Sequence, residues 1–215
     1  MQHLICFDMD RVLVDHLSTW QYVYDRLEIS NHEAFNLYNQ GKLDEWDWLK
    51  MDLALIKGAH PDITDQKMRE LCEGTPLMEG MMECLQWIVD NGHEIAIISG
   101  GMQETARDIA CMFPSDKPWK RRWGGINRHR GIDTKFHVFT NGWLERNDGS
   151  IDDYGRYQVQ MNGKGSIVKM LQRRLDIPKE RTISIGDSAA GYSALTMMEP
   201  DLEVMTAEIK MNLLS

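Results

Sequence analysis

Four apolar residues, Leu4-Ile5-Cys6-Phe7, run directly into two aspartates one residue apart, Asp8 and Asp10. A short, continuous apolar run of this kind reads as a strand buried on both faces, as strands of parallel sheets are. Such a strand delivers Asp8 and Asp10 to its carboxyl end, the edge where open α/β sheets bind ligands. Two carboxylates on one strand end repel each other unless a cation, a shared proton or an anionic reaction partner reorganises the site. Two readings follow. One is a hard, oxygen-liganded metal such as Mg²⁺, with one aspartate free to act as nucleophile and the other as proton donor. The other is an ordinary strand-to-loop turn, where Asp is common.

Further apolar runs at 94–99, 182–185 and 203–206 read as strands. Helical periodicity lies between them, at 81–90, 102–113 and 166–175. Strands alternating with helices predict an α/β fold: a Rossmann-like parallel sheet core with helices on both faces. Some eighty residues separate the first two strands, far too many for one crossover. Residues 17–73 read almost entirely as helix, with Trp20, Tyr24, Leu27, Trp46, Leu49, Leu53 and Ile56 supplying an apolar face. A small helical cap inserted after the first strand is therefore expected, with the core at 1–14 and 76–215 and the cap at 15–75. The stretch 114–160, with its glycines, charges and alternating runs at 135–140 and 157–161, reads as a hairpin-bearing excursion from the sheet.

Composition removes several function classes. The 215 residues carry 24 Lys and Arg against 33 Asp and Glu, a formal charge of −9, which argues against nucleic acid and anionic membranes as partners. No apolar run approaches the length of a membrane span, and the chain opens on a strand rather than a basic-then-apolar leader. The four scattered cysteines, Cys6, Cys72, Cys84 and Cys111, form no C-x-x-C and read as reduced thiols of a cytoplasmic protein.

Three more short motifs stand at strand or helix ends. Ser99-Gly100-Gly101 closes the second strand before a helix, either as an oxyanion or phosphate cradle or as a capped turn. Asn162-Gly163-Lys164-Gly165 places a lysine before another helix, to neutralise a phosphoryl oxygen or merely to face solvent. Ser184-Ile185-Gly186-Asp187-Ser188 puts a third aspartate at the end of a third buried strand, again with a turn as the alternative.

Each motif alone is weak, but their order is not. An Asp-x-Asp strand end, a Ser-Gly strand end, a Lys before a helix and a Gly-Asp strand end match the four-motif layout of the haloacid dehalogenase-like phosphohydrolases. The chain resembles their phosphoserine-phosphatase-like branch, also through Gly41-Lys42-Leu43 and Thr75-Pro76-Leu77-Met78-Glu79-Gly80. The resemblance implies a Mg²⁺-dependent phosphatase that hydrolyses a small phosphorylated metabolite through an aspartyl-phosphate intermediate. Carried onto this sequence, it makes Asp8 the nucleophile and Asp10 the acid and base. Ser99, Gly100 and Lys164 would bind phosphate. Asp8, Asp10 through its carbonyl, and Asp187 would hold Mg²⁺.

Three departures bear on the substrate. The resemblance calls for a further Asn-Asp pair in the last motif, where this chain has Ala189-Ala190-Gly191. The glutamate and arginine with which phosphoserine phosphatases grip the amino acid fall by spacing near Leu17 and Asp52. Arg11, beside the aspartate pair, could reach a substrate anion or pair with Asp15. Two rival functions stay open: a catalytically weak homologue that binds a phosphorylated ligand, and a polynucleotide-end phosphatase served by the basic, tryptophan-bearing stretch from Lys117 to Arg130. The sheet edge beyond the last strand leaves room for a homodimer.

Overall fold

The computed structural model describes residues 1–115 and 132–187, with the backbone alone of 128–129 and 204–206. The basic stretch and the segment Ser188-Ala189-Ala190-Gly191 lie almost wholly outside the described residues.

The chain begins with β1 (Leu4–Phe7) and then makes four helices, α1 (Thr19–Leu27), α2 (His32–Asn39), α3 (Glu45–Ala59) and α4 (Asp65–Cys72). It returns through α5 (Met81–Asp90), β2 (Glu94–Met102) and α6 (Gln103–Cys111). A short antiparallel ribbon, β3 (Arg128–His129) with β4 (Ile132–Asp133), precedes β5 (Phe136–Asn141). After an irregular excursion a 3₁₀ turn (Met161–Gly163) leads into α7 (Lys164–Leu175), then a second 3₁₀ turn (Lys179–Arg181), β6 (Thr182–Gly186) and β7 (Val204–Thr206). The main sheet has the order β5-β2-β1-β6-β7, and all its pairs are parallel. Central β1 thus has β2 on one side and β6 on the other, and the connections leave it in opposite directions, which opens a ligand crevice at its carboxyl end.

Alternation along β1 shows why both sheet faces are covered. Ile5 and Phe7 pack with α5 and α6 residues such as Leu85, Ile88, Ala106 and Ile109, whereas Leu4 and Cys6 pack with Val168 and Leu171 of α7. Each fully buried aliphatic or aromatic side chain contributes roughly 1.5–3 kcal/mol of transfer free energy. A separate cluster joins α1, α3 and α4: Val23, Tyr24, Leu53, Ile56 and Met68 pack with Met102, Trp143 and Ile151 from the body of the protein. None of the four cysteines is in a disulfide, and burial pushes the Cys6 and Cys72 thiols up to about 12. Among the described residues no helix is long and apolar enough to cross a membrane.

The sequence reading is corrected at one strand. The run at 135–140 was expected in a hairpin, but Phe136–Asn141 is a parallel edge strand of the main sheet, paired with β2. All six residues are buried. His137 is held beside Glu94, with Nε2 3.0 Å from Oε2, so its polarity is satisfied inside the fold. The other alternating run, 157–161, forms no strand and is pinned by the side chain of Asn141.

Candidate active site

Asp8 follows β1 directly, and its amide donates to the Ile185 carbonyl at 2.9 Å, so β1 and β6 remain joined up to Asp8. Register places the end of β2, with Ser99, beside it on one side and Asp187 on the other. The chain then turns sharply: the amides of Val12, Leu13 and Val14 all converge on the Met9 carbonyl at 3.1, 2.9 and 3.0 Å. The turn needs a left-handed residue, and Arg11 supplies it with φ 61°. A non-glycine residue in that region is strained and persists only where its surroundings hold it.

Lys164 reaches the site from the opposite end of the sequence and forms an ion pair with Asp8 Oδ2. It is only 6% exposed, so its charge acts where little water screens it. The sequence placed this lysine ahead of its helix; it is the first residue of α7. Ser99 is 2% exposed, and its Oγ accepts the Gly101 N–H at 3.2 Å. The Ser99-Gly100-Gly101 motif differs in detail from the expected helix-terminal cradle. The strand continues through both glycines to Met102 with an irregular register there, and α6 begins only at Gln103. Such a bulge re-aims side chains at a strand end.

Asp10 is held more firmly than the sequence indicated. Its Oδ1 accepts the Thr19 N–H at 2.9 Å, and Thr19 Oγ1 in turn accepts the Met102 N–H at 2.8 Å. Burial, with a further contribution from the Asp8 charge, pushes the Asp10 carboxyl up to about 7, against the opposing hydrogen bonds from Thr19. A carboxyl near that value can give and take a proton at neutral pH. Gly101 makes this geometry possible. A Cβ there would lie 2.5 Å from Met9 Cε, 2.7 Å from Thr19 Oγ1 and 2.9 Å from Asp10 Oδ2.

Asp187 lies across the mouth, with Oδ2 3.7 Å from Arg11 Nη1. Arg11 therefore pairs with Asp187 rather than Asp15. Among the described residues no three His, Cys, Asp or Glu side chains are gathered closely enough to hold a metal ion. The implied ligand set uses two carboxylates and one main-chain carbonyl, so three side chains need not converge. All its donors are hard oxygens, which suits Mg²⁺.

Three residues of the site were missed in the sequence. Thr19 is one; its signal was Ser18-Thr19 opening a helix. Asn141 is another: its Oδ1 accepts the amides of Gln158 and Val159 at 2.8 and 2.9 Å, and its Nδ2 donates to the Val159 carbonyl at 2.8 Å. An Asn-Gly pair ending an apolar run was its signal. The third is Trp20, whose indole N–H donates to the Gly100 carbonyl at 3.1 Å.

A family model described as haloacid dehalogenase-like hydrolase matches residues 3–198. The chain belongs to that family. It is 25% identical to a phosphoserine phosphatase of Wolinella succinogenes over 151 residues, which span 70% of this chain and 61% of that protein. It is 24% identical to a phosphoserine phosphatase of Methanocaldococcus jannaschii over 195 residues, spanning 88% of this chain and 79% of the relative. A solved structure of a substrate-bound phosphoserine phosphatase superposes with a TM-score of 0.68 at 20% identity, covering 96% of this chain and 86% of that one.

Proposed function

We propose that this protein hydrolyses a small phosphate monoester through a covalent phosphoryl-aspartate, with the helical unit at 15–75 closing over the site as a cap. The observation that carries the reading is Asp8 at the end of the central strand, ion-paired with buried Lys164, beside an Asp10 whose carboxyl stands near neutrality. In the first step a carboxylate oxygen of Asp8 attacks phosphorus, the ester P–O bond breaks, and Asp10 protonates the departing alcohol. In the second, Asp10 takes a proton from water as that water attacks phosphorus and the Asp8–phosphorus bond breaks. Ser99, the Gly100 amide and Lys164 hold the phosphoryl oxygens while charge shifts across them. Mg²⁺ held by Asp8, the Asp10 carbonyl and Asp187 would offset the anionic charge that otherwise repels the substrate.

Phosphoserine is not the substrate this reading favours. Leu17, near the place where an acid would meet the amino group, is apolar and 59% exposed. Asp52, near the place of the carboxylate-gripping arginine, is 6% exposed and is an acid, with no positive charge to offer a carboxylate. The test is phosphate release from a panel of small esters, with Mg²⁺ and with chelator. Metal-dependent release from at least one ester other than phosphoserine is expected. Release from phosphoserine alone would overturn the substrate reading, and release from none would overturn the phosphatase.

A further inference from the structure

Glu45 is the first residue of α3, yet its side chain leaves the helical cap. Its Oε2 accepts the Met161 backbone N–H at 2.8 Å and the Tyr157 hydroxyl at 3.1 Å. Tyr38 faces the same carboxylate, and burial together with that charge raises the pKa of both tyrosines. Met161 opens the 3₁₀ turn that runs without a break into α7 at Lys164.

The first amides of a helix have no partner inside it, and a side-chain oxygen normally serves one of them. Neither Gln160 nor Gly163, the residues at the two helix starts, makes such a bond. Glu45 supplies it from the cap instead. A carboxylate is the stronger acceptor and also complements the positive end of the helix dipole. The same turn borders the phosphate-binding strand end, since Met161 Cγ is 3.9 Å from where a Cβ on Gly100 would lie.

We infer that Glu45 is a positioning residue: closure of the cap brings its carboxylate onto the Met161 amide, and that bond seats the turn from which Lys164 reaches the phosphoryl group. The inference rests on the phosphatase reading of the site. Lys164 follows Met161 by three residues, so a shift of the turn moves its backbone with it. A displacement of about 1 Å at a reacting centre can lower the rate by about 100-fold. Cap closure and phosphoryl neutralisation are thereby one event, and an open cap leaves the lysine unseated.

The test compares Glu45→Ala and Glu45→Gln with the wild type by residue-level hydrogen exchange and by kcat and KM on an ester the wild type hydrolyses. Glu45→Ala should speed exchange of the Met161 amide by ~10-fold and lower kcat by ~10-fold, with KM changed less than ~3-fold. Glu45→Gln keeps an acceptor oxygen and should recover most of both losses. Wild-type kcat in the Ala variant, or a Gln variant as impaired as Ala, overturns the inference. So does a loss seen in KM with exchange rising evenly along α3, the pattern of a generally loosened cap. A wild type that hydrolyses no ester would sink the phosphatase reading alone; the exchange comparison would still decide whether Glu45 holds the turn.

Discussion

Asp52→Asn should stabilise the protein, and increasingly so as pH rises. Asp52 lies on α3, 6% exposed. Among the described residues the one donor within hydrogen-bond geometry is Asn31 Nδ2, at a long 3.4 Å from Oδ1. The Tyr24 hydroxyl and Trp48 indole N–H face the carboxylate but stop short of good hydrogen-bond geometry. Burial therefore dominates these favourable contacts and pushes the carboxyl up to about 7. In the unfolded chain the value is about 3.9. Between the two, the folded state binds more protons than the unfolded state, so the stability contributed by the protonated group is lost as pH rises toward the folded value. From about pH 5.5 to about pH 8 the loss assigned to Asp52 is roughly 2 kcal/mol. Asparagine has a similar shape and no such titration. Urea unfolding at the two pH values should show the Asn variant's advantage growing by about that amount. Equal pH dependence in the two proteins would refute the reasoning and mean that Asp52 stays charged and satisfied in the fold.

Gly101→Ala forces a methyl against Met9, Thr19 and Asp10, so it should cost about 1–3 kcal/mol of stability and lower kcat by ~100-fold through the displaced acid. A thermal melt and turnover matching the wild type would show that this contact relaxes freely. Asp10→Asn removes the proton donor and should lower kcat by ~100-fold or more while inhibition by inorganic phosphate changes little. Loss of phosphate inhibition in step with kcat would assign Asp10 to binding instead. Arg11→Gly relieves a left-handed backbone and removes a guanidinium 3.7 Å from Asp187. The unfolding midpoint should hold nearly steady, since relief of strain is offset by the freer unfolded chain, while Mg²⁺ affinity measured by calorimetry should rise a few-fold. Unchanged affinity would place Arg11 outside the influence of the metal.

The core of the fold was legible because its strands are short apolar runs that end on functional residues. Leu4–Phe7 and Met81–Asp90 fall where the pattern put them. Phe136–Asn141 was hidden because its polar members His137 and Asn141 are satisfied by partners far away in sequence, and an isolated segment carries no trace of Glu94 or Val159. The residues gathered at the strand ends, Asp8, Ser99, Lys164 and Asp187, were readable from motif order, which sequence preserves. What orders them was not. Thr19 over Asp10, Gly101 against both, and Glu45 on the Met161 amide are contacts between the helical insertion and the sheet, and they exist only once the two pack together.

The most direct test of the account is acid-quenched turnover with an ester labelled in its phosphoryl group, followed by mapping of the labelled peptide. The account predicts label on Asp8, lost in Asp8→Asn together with phosphate release. Phosphate release that continues in Asp8→Asn, or label carried by any other residue, would contradict it.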